Sequence, residues 1–139
     1  MEDVSEIESR ILAELEEAGS ENIPALMNTV MVSIGAEQEA TLTQQAIRNL
    51  LASKFVTLRM SSIPKGNEPK TSDKAFAIID ELKAHLKYVN SEQHWTDERM
   101  AGPPFFQNPV PEIVLTDTGL LRSRSILNER GYQWWRQKA

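Results

Sequence analysis

The sequence contains no cysteine in its 139 residues. Disulfides, thiolate metal ligands and a cysteine nucleophile are therefore excluded, and the usage fits a reducing compartment. Long apolar runs are also missing: the purely hydrophobic stretches last a few positions, against the ~20 that a spanning helix needs. No membrane partner is expected. The opening MEDVSEIESR is acidic and lacks the basic-then-apolar order of a secretory leader, so the expected location is cytoplasmic. Histidine is scarce, with two in all. No glycine-rich phosphate loop, GxSxG or HExxH pattern occurs. Glu16 with Glu17, and Asp80 with Glu81, are neighbours in sequence, but adjacent helical positions do not converge on one point. His94 with Asp97 and Glu98 has donor types suited to a divalent cation, yet such residues in a proline-rich stretch more commonly face solvent. Neither an enzyme nor a metal or cofactor is expected.

Positive charge is in short supply overall, with a net charge of −5, but it is unevenly spread. Residues 1–40 carry ten acids and one base, Arg10, for −9. Residues 41–74 carry six bases (Arg48, Lys54, Arg59, Lys65, Lys70, Lys74) against Glu68 and Asp73, for +4. Phosphate binding requires such a concentration of bases; basic and acidic segments also commonly lie against each other within a fold.

The size suits a single domain spanning residues 1–139. Val4, Ile7, Ile11, Leu12, Leu15 and Ala18 recur at helical spacing, and Gly19 follows as a stop, which predicts a helix over about 4–18. A connector precedes a second helix over about 24–34, with Pro24 in its first turn and Leu26, Met27, Val30, Met31 and Ile34 as its apolar set. Thr41 or Thr43 caps a third helix reaching about residue 54, with Ala46, Ile47, Leu50 and Leu51 as the buried stripe. A period-two strand follows over about 55–60. Residues 63–73 are rich in Pro, Gly and Lys and predict a loop. Ala75, Ile79, Leu82, Leu86 and Val89 form a heptad-like seam on a fourth helix over about 73–90. Residues 91–111 predict an irregular segment pinned by Trp95, Phe105 and Phe106. A short strand over 112–115 leads into a last helix over about 117–130, capped by Thr116 or Asp117 and stopped by Gly131.

Two segments carry a likeness to a known superfamily. LTQQAIRNLLASKFVTL, residues 42–58, resembles a recognition helix with the strand that follows it. IVLTDTGLLRSR, residues 113–124, resembles the ending in which a wing's return strand closes on Leu-Thr-x-x-Gly and opens a helix. Together they resemble the winged helix-turn-helix regulators of the MarR and PadR type. The likeness implies a mainly α fold with a small β-wing, a winged helix-turn-helix. It departs from that pattern between residues 61 and 111, where the family has a short loop, so the fourth helix becomes an insertion between the wing strands.

The resemblance implies a DNA-binding transcriptional regulator. Base edges are read by Arg, Asn and Gln; Gln44 with Arg48, and Gln45 with Asn49, share faces of the third helix. These four are the expected base-reading residues on double-stranded DNA. Thr43, Lys54, Arg59 and Lys65 are the expected phosphate contacts. So few bases on one copy bind weakly at physiological salt, which points to a homodimer. Its candidate interface comprises Ile79, Leu82 and Leu86 of the helical seam with Trp134 and Trp135 of the aromatic C-terminus. The alternative is a winged-helix protein–protein interaction module that binds no DNA. Surface charge separates the two readings: acidic residues of the first helix flanking the exposed face of the third would exclude a DNA groove.

Overall fold

The computed structural model describes residues 3–61, 72–100 and 110–136. The first helix, α1, spans Val4–Ala18. Asp3 caps it by accepting from the Glu6 N–H at 2.8 Å, and Gly19, at φ 80°, closes it through its N–H to the Leu15 carbonyl. Positive φ costs glycine nothing, so the stop sits where a Cβ is absent. Ile7, Ile11, Leu12 and Leu15 are buried along one stripe. Next to them Arg10 is buried as well, its Nε 3.0 Å from Glu6 and its NH1 donating to the Val30 carbonyl at 2.9 Å. Burial of that charge is tolerated because the guanidinium has partners.

The expected connector after Gly19 is instead a strand, β1 (Ser20–Asn22). Ser-Glu-Asn has little strand propensity of its own; pairing with a distant strand imposes the conformation. Asn22 then caps α2 (Ile23–Val30) by accepting from the Ala25 N–H at 2.9 Å, with Pro24 in the first turn. This helix ends at Val30, not near Ile34. Met31 is extended, at φ −142° and ψ 158°, and the carboxylate of Glu39 captures the N–H groups of Ile34 and Gly35.

The third helix, α3, spans Glu37–Ala52 and starts well before Thr41 or Thr43. Its N-cap, Ala36, has no side-chain bond, so no capping residue marks the start. Glu37 and Glu39 in the first turn suit the positive end of the helix dipole. Lys54, in a left-handed conformation at φ 63°, turns the chain into β2 (Val56–Ser61). The return strand is β5 (Val110–Leu115), slightly longer than expected. It pairs antiparallel with β2, setting Leu58 opposite Ile113, and with β1, setting Ser20 opposite Val114. The sheet order is β1-β5-β2.

The last helix, α6 (Asp117–Arg130), matches the expected one in both bounds and cap. Thr116 Oγ1 accepts from the Gly119 N–H at 2.9 Å and donates toward the Lys54 and Phe55 carbonyls. Gly119 is needed for closeness: a Cβ there would sit 1.9 Å from the Phe55 carbonyl oxygen. Ser123 then bonds the Leu12 carbonyl at 2.7 Å and joins α6 to α1.

Between β2 and β5 the expected single helix is broken. There are α4 (Ser72–Asp80), a one-turn α5 (Leu82–His85), and a hairpin of β3 (Leu86–Val89) with β4 (His94–Asp97). Leu86, Tyr88 and Val89 fit a strand as well as a helix, and a pairing partner decides between them. Trp95, expected in an irregular segment, lies in β4 and packs edge-on against Tyr88 with ring centroids 5.5 Å apart. Phe105 and Phe106 lie outside the described residues. Ala75, Ile79, Leu82 and Trp95 join the cluster formed by α1, α2, α3 and the sheet, so the insertion shares the core.

Candidate functional site

Ala40, Thr43, Ala46, Ile47 and Leu50 turn inward on α3, and Gln38, Thr41, Gln45 and Ala52 lie on the exposed opposite side. At its N-terminal end the same ridge carries Glu37, one and two turns before Thr41 and Gln45, with its side chain 86% exposed. On one flank Gln44 Nε2 donates to the Ile79 and Asp80 carbonyls at 2.8 and 3.2 Å, filling acceptors that the end of α4 leaves open. Arg48 pairs with the Asp80 carboxylate, and its guanidinium carbon lies 4.9 Å from the Phe76 ring centroid. On the other flank Asn49 Nδ2 donates to Glu8 of α1 at 2.9 Å, while its carbonyl accepts from Gln45 Nε2 at 2.9 Å.

The four expected base-reading side chains therefore do share the outward half of one helix. Three of them, Gln44, Arg48 and Asn49, are held by other elements of the same chain. Two of those holders are carboxylates: Asp80 neutralises Arg48 on one flank, and Glu8, held by a neutral amide, brings negative charge to the other, where a duplex would place phosphates.

The expected phosphate contacts are not gathered around this face. Thr43 is 0% exposed and its hydroxyl bonds the Glu39 carbonyl at 2.8 Å, so it has no access to a phosphate. Arg59 lies on β2, with Nε 3.0 Å from its cross-strand partner Glu112 and NH2 3.0 Å from Ser20 Oγ. Lys54 is exposed at the end of α3. Lys65 lies outside the described residues.

The expected dimer seam is corrected too. Ile79, Leu82 and Leu86 are buried in this chain's own core rather than facing a partner. The sequence pattern alone cannot tell a seam between copies from a stripe packed at home. Trp135 is also buried, and Trp134 packs against the core, its Nε1 3.3 Å from Glu6. Arg130 caps the arrangement, 4.3 Å above the Trp134 ring and bonding both Glu6 oxygens at 2.7 and 3.0 Å. These bonds to Arg130 outweigh partial burial and hold the Glu6 pKa at about 2.

His94, Asp97 and Glu98 do not face a common point. His94 Nε2 lies 3.3 Å from Glu92, and His85 Nδ1 lies 3.3 Å from Glu98. Asp97 is buried and taken up by the Arg99 backbone and guanidinium.

A feature without a counterpart among the sequence expectations centres on Glu39. Its buried carboxylate accepts from the Ile34 N–H at 2.9 Å, the Gly35 N–H at 3.2 Å and Trp95 Nε1 at 2.8 Å. Asn28 reaches from α2 to both main-chain groups of Trp95, at 2.8 and 2.9 Å. Tyr88 donates to the Ser33 carbonyl at 3.2 Å, and its ring covers Gly35, where a Cβ would approach to 2.6 Å. The inserted hairpin is thus clamped onto the turn between α2 and α3. An open groove of about 1110 Å³ runs alongside, bordered by Val32, Ile34, Leu42, His94 and Trp135. The sequence carries one signal of it: a glutamate just after a glycine turn, at the start of a helix. Its partner lies 56 positions away and carries no mark.

The chain is a mainly helical protein with a small antiparallel sheet, and among its described residues no helix is long and apolar enough to cross a membrane. Compared with protein-family models, curated proteins and solved structures, it matches none.

Proposed function

We propose that this chain is a winged helix-turn-helix domain that engages a protein partner rather than a DNA groove. The order helix, strand, helix, helix, strand, return strand, helix supports the winged reading, with β2 and β5 as the wing strands and the clamped insertion between them. The observation that carries the choice of partner is the bond from Asn49 to Glu8. It puts an acidic residue of the first helix on the exposed face of the third. On the opposite flank Asp80 takes up the positive charge of Arg48, the base that the DNA reading needs. A ridge that carries Glu37, borders Glu8 and has its one arginine paired with Asp80 repels a phosphate backbone but suits a polar protein surface.

The test is fluorescence anisotropy with a labelled mixed-sequence duplex, titrated from low to physiological salt. The expected result is no binding even at low salt, where the non-specific electrostatic attraction is strongest. Binding that weakens linearly on a log–log plot, with a slope of about −0.9 per phosphate, would overturn the reading and restore the DNA-binding regulator.

A further inference from the structure

The turn between α2 and α3 leaves apolar side chains and main-chain groups open together. Val32 is 92% exposed and Ile34 74%, whereas every other described valine and isoleucine is buried or half-buried. Met31 and Ser33, between and beside them, are half-buried. An exposure period of two, starting from the extended Met31, is that of a strand. Among the described residues nothing bonds the N–H or carbonyl of Val32, the N–H of Ser33 or the carbonyl of Ile34. Ser33 Oγ is buried without a partner. The segment is anchored from behind by Glu39 and Tyr88, so its open groups are held in place in advance.

Charge narrows the choice of occupant. Among the described residues Arg10 is the one Lys or Arg lining the groove, and it is buried and already paired with Glu6. Glu37, beside the lining residue Ala36, and Glu92, beside Gln93, have side chains 86% and 64% exposed. Lys83 is 3.9 Å from the first and His94 is 3.3 Å from the second. A second copy docking symmetrically through this turn would bring the same acidic rim against itself, which disfavours it.

We infer that this turn binds an extended segment of a partner protein, with valine-like side chains on one face and Lys or Arg at its ends. The partner's main chain pairs with both groups of Val32 and donates to the Ile34 carbonyl. The engaged Ile34 N–H ends the pairing there and keeps the added strand short. Val32 and Ile34 supply the apolar contact, and Glu37 and Glu92 select the basic ends. The inference rests on the protein-partner reading and names the class of partner.

The probe is a short fluorescein-labelled peptide alternating valine and threonine with lysine at both ends, beside a twin ending in glutamates. Anisotropy with the intact chain is expected to show binding of the lysine peptide and at least about tenfold weaker binding of its twin. The double variant Val32→Ser, Ile34→Ser should lose about tenfold in affinity at an unchanged melting temperature, because both side chains face solvent. No binding of the lysine peptide at low salt, or equal binding by both forms of the protein, would overturn the inference. Sedimentation equilibrium provides the remaining arm: a wild-type dimer that the double variant turns into a monomer would assign the turn to a second copy instead. Repeating the titration with duplex keeps the two proposals apart. Duplex binding unaffected by the peptide overturns the protein-partner reading, whereas absence of both peptide and duplex binding overturns only this assignment.

Discussion

Substituting Glu6→Gln isolates the contact that ties the C-terminal segment to α1. Glu6 accepts from Arg10, Arg130 and Trp134 at once. Its pKa falls from 4.5 to about 2, with Arg130 as the leading cause. At 1.36 kcal/mol per unit, that drop caps the contribution at about 3.4 kcal/mol. The Glu6 side chain retains 21% of its exposure, and screening by the water it still meets reduces the figure to about 1–2 kcal/mol. Because the folded pKa is the lower one, the stabilisation is complete above about pH 4.5 and is lost as pH falls toward 2. Urea unfolding of both forms, followed by tryptophan fluorescence, should therefore show the variant weaker by about 1–2 kcal/mol at pH 7. The gap should shrink to about half or less by pH 3. A gap that stays constant with pH, or none at pH 7, would refute the assignment of the stabilisation to ionised Glu6.

Three further outcomes follow from the same geometry. Gly119→Ala places a methyl group into the Phe55 carbonyl, and should cost more than about 3 kcal/mol in denaturant unfolding or prevent folding. Glu39→Gln replaces an acceptor of three bonds with a group that must turn one donor toward them. A loss of about 1–3 kcal/mol is expected, with a shift in Trp95 emission as the hairpin loosens from the turn. Asp80→Asn removes a solvent-exposed ion pair; thermal melts should move by less than the equivalent of about 1 kcal/mol, and anisotropy should still show no duplex binding at low salt.

Elements with strong local signals are legible in the amino-acid sequence. The first helix, the strand after α3 and the unit from β5 into α6 each combine a clear period with a cap or stop. Gly19, Thr116 and Gly119 mark their boundaries through conformations or contacts that other residues do not meet. The elements that escape a sequence reading have no such marks. Ser20–Asn22 becomes a strand only because β5 lies beside it. Leu86–Val89 leaves the helical pattern only because His94–Asp97 pairs with it. The beginning of α3 is unmarked because Ala36 caps nothing with its side chain.

The candidate site divides in the same way. Composition and periodicity by themselves determined which side chains share the outward half of α3, since helical spacing depends only on position along the chain. They also placed the acids in the first helix. Only the tertiary structure decided that Glu8 meets Asn49, that Asp80 meets Arg48, and that Thr43 lies inside. It likewise decided that Ile79 and Leu82 serve this chain's core and that Val32 and Ile34 are left outside it. Apolar character at helical spacing specifies that a face is to be covered. What covers it, a neighbouring element or a partner, depends on contacts between residues far apart in the chain, and local pattern does not encode those contacts.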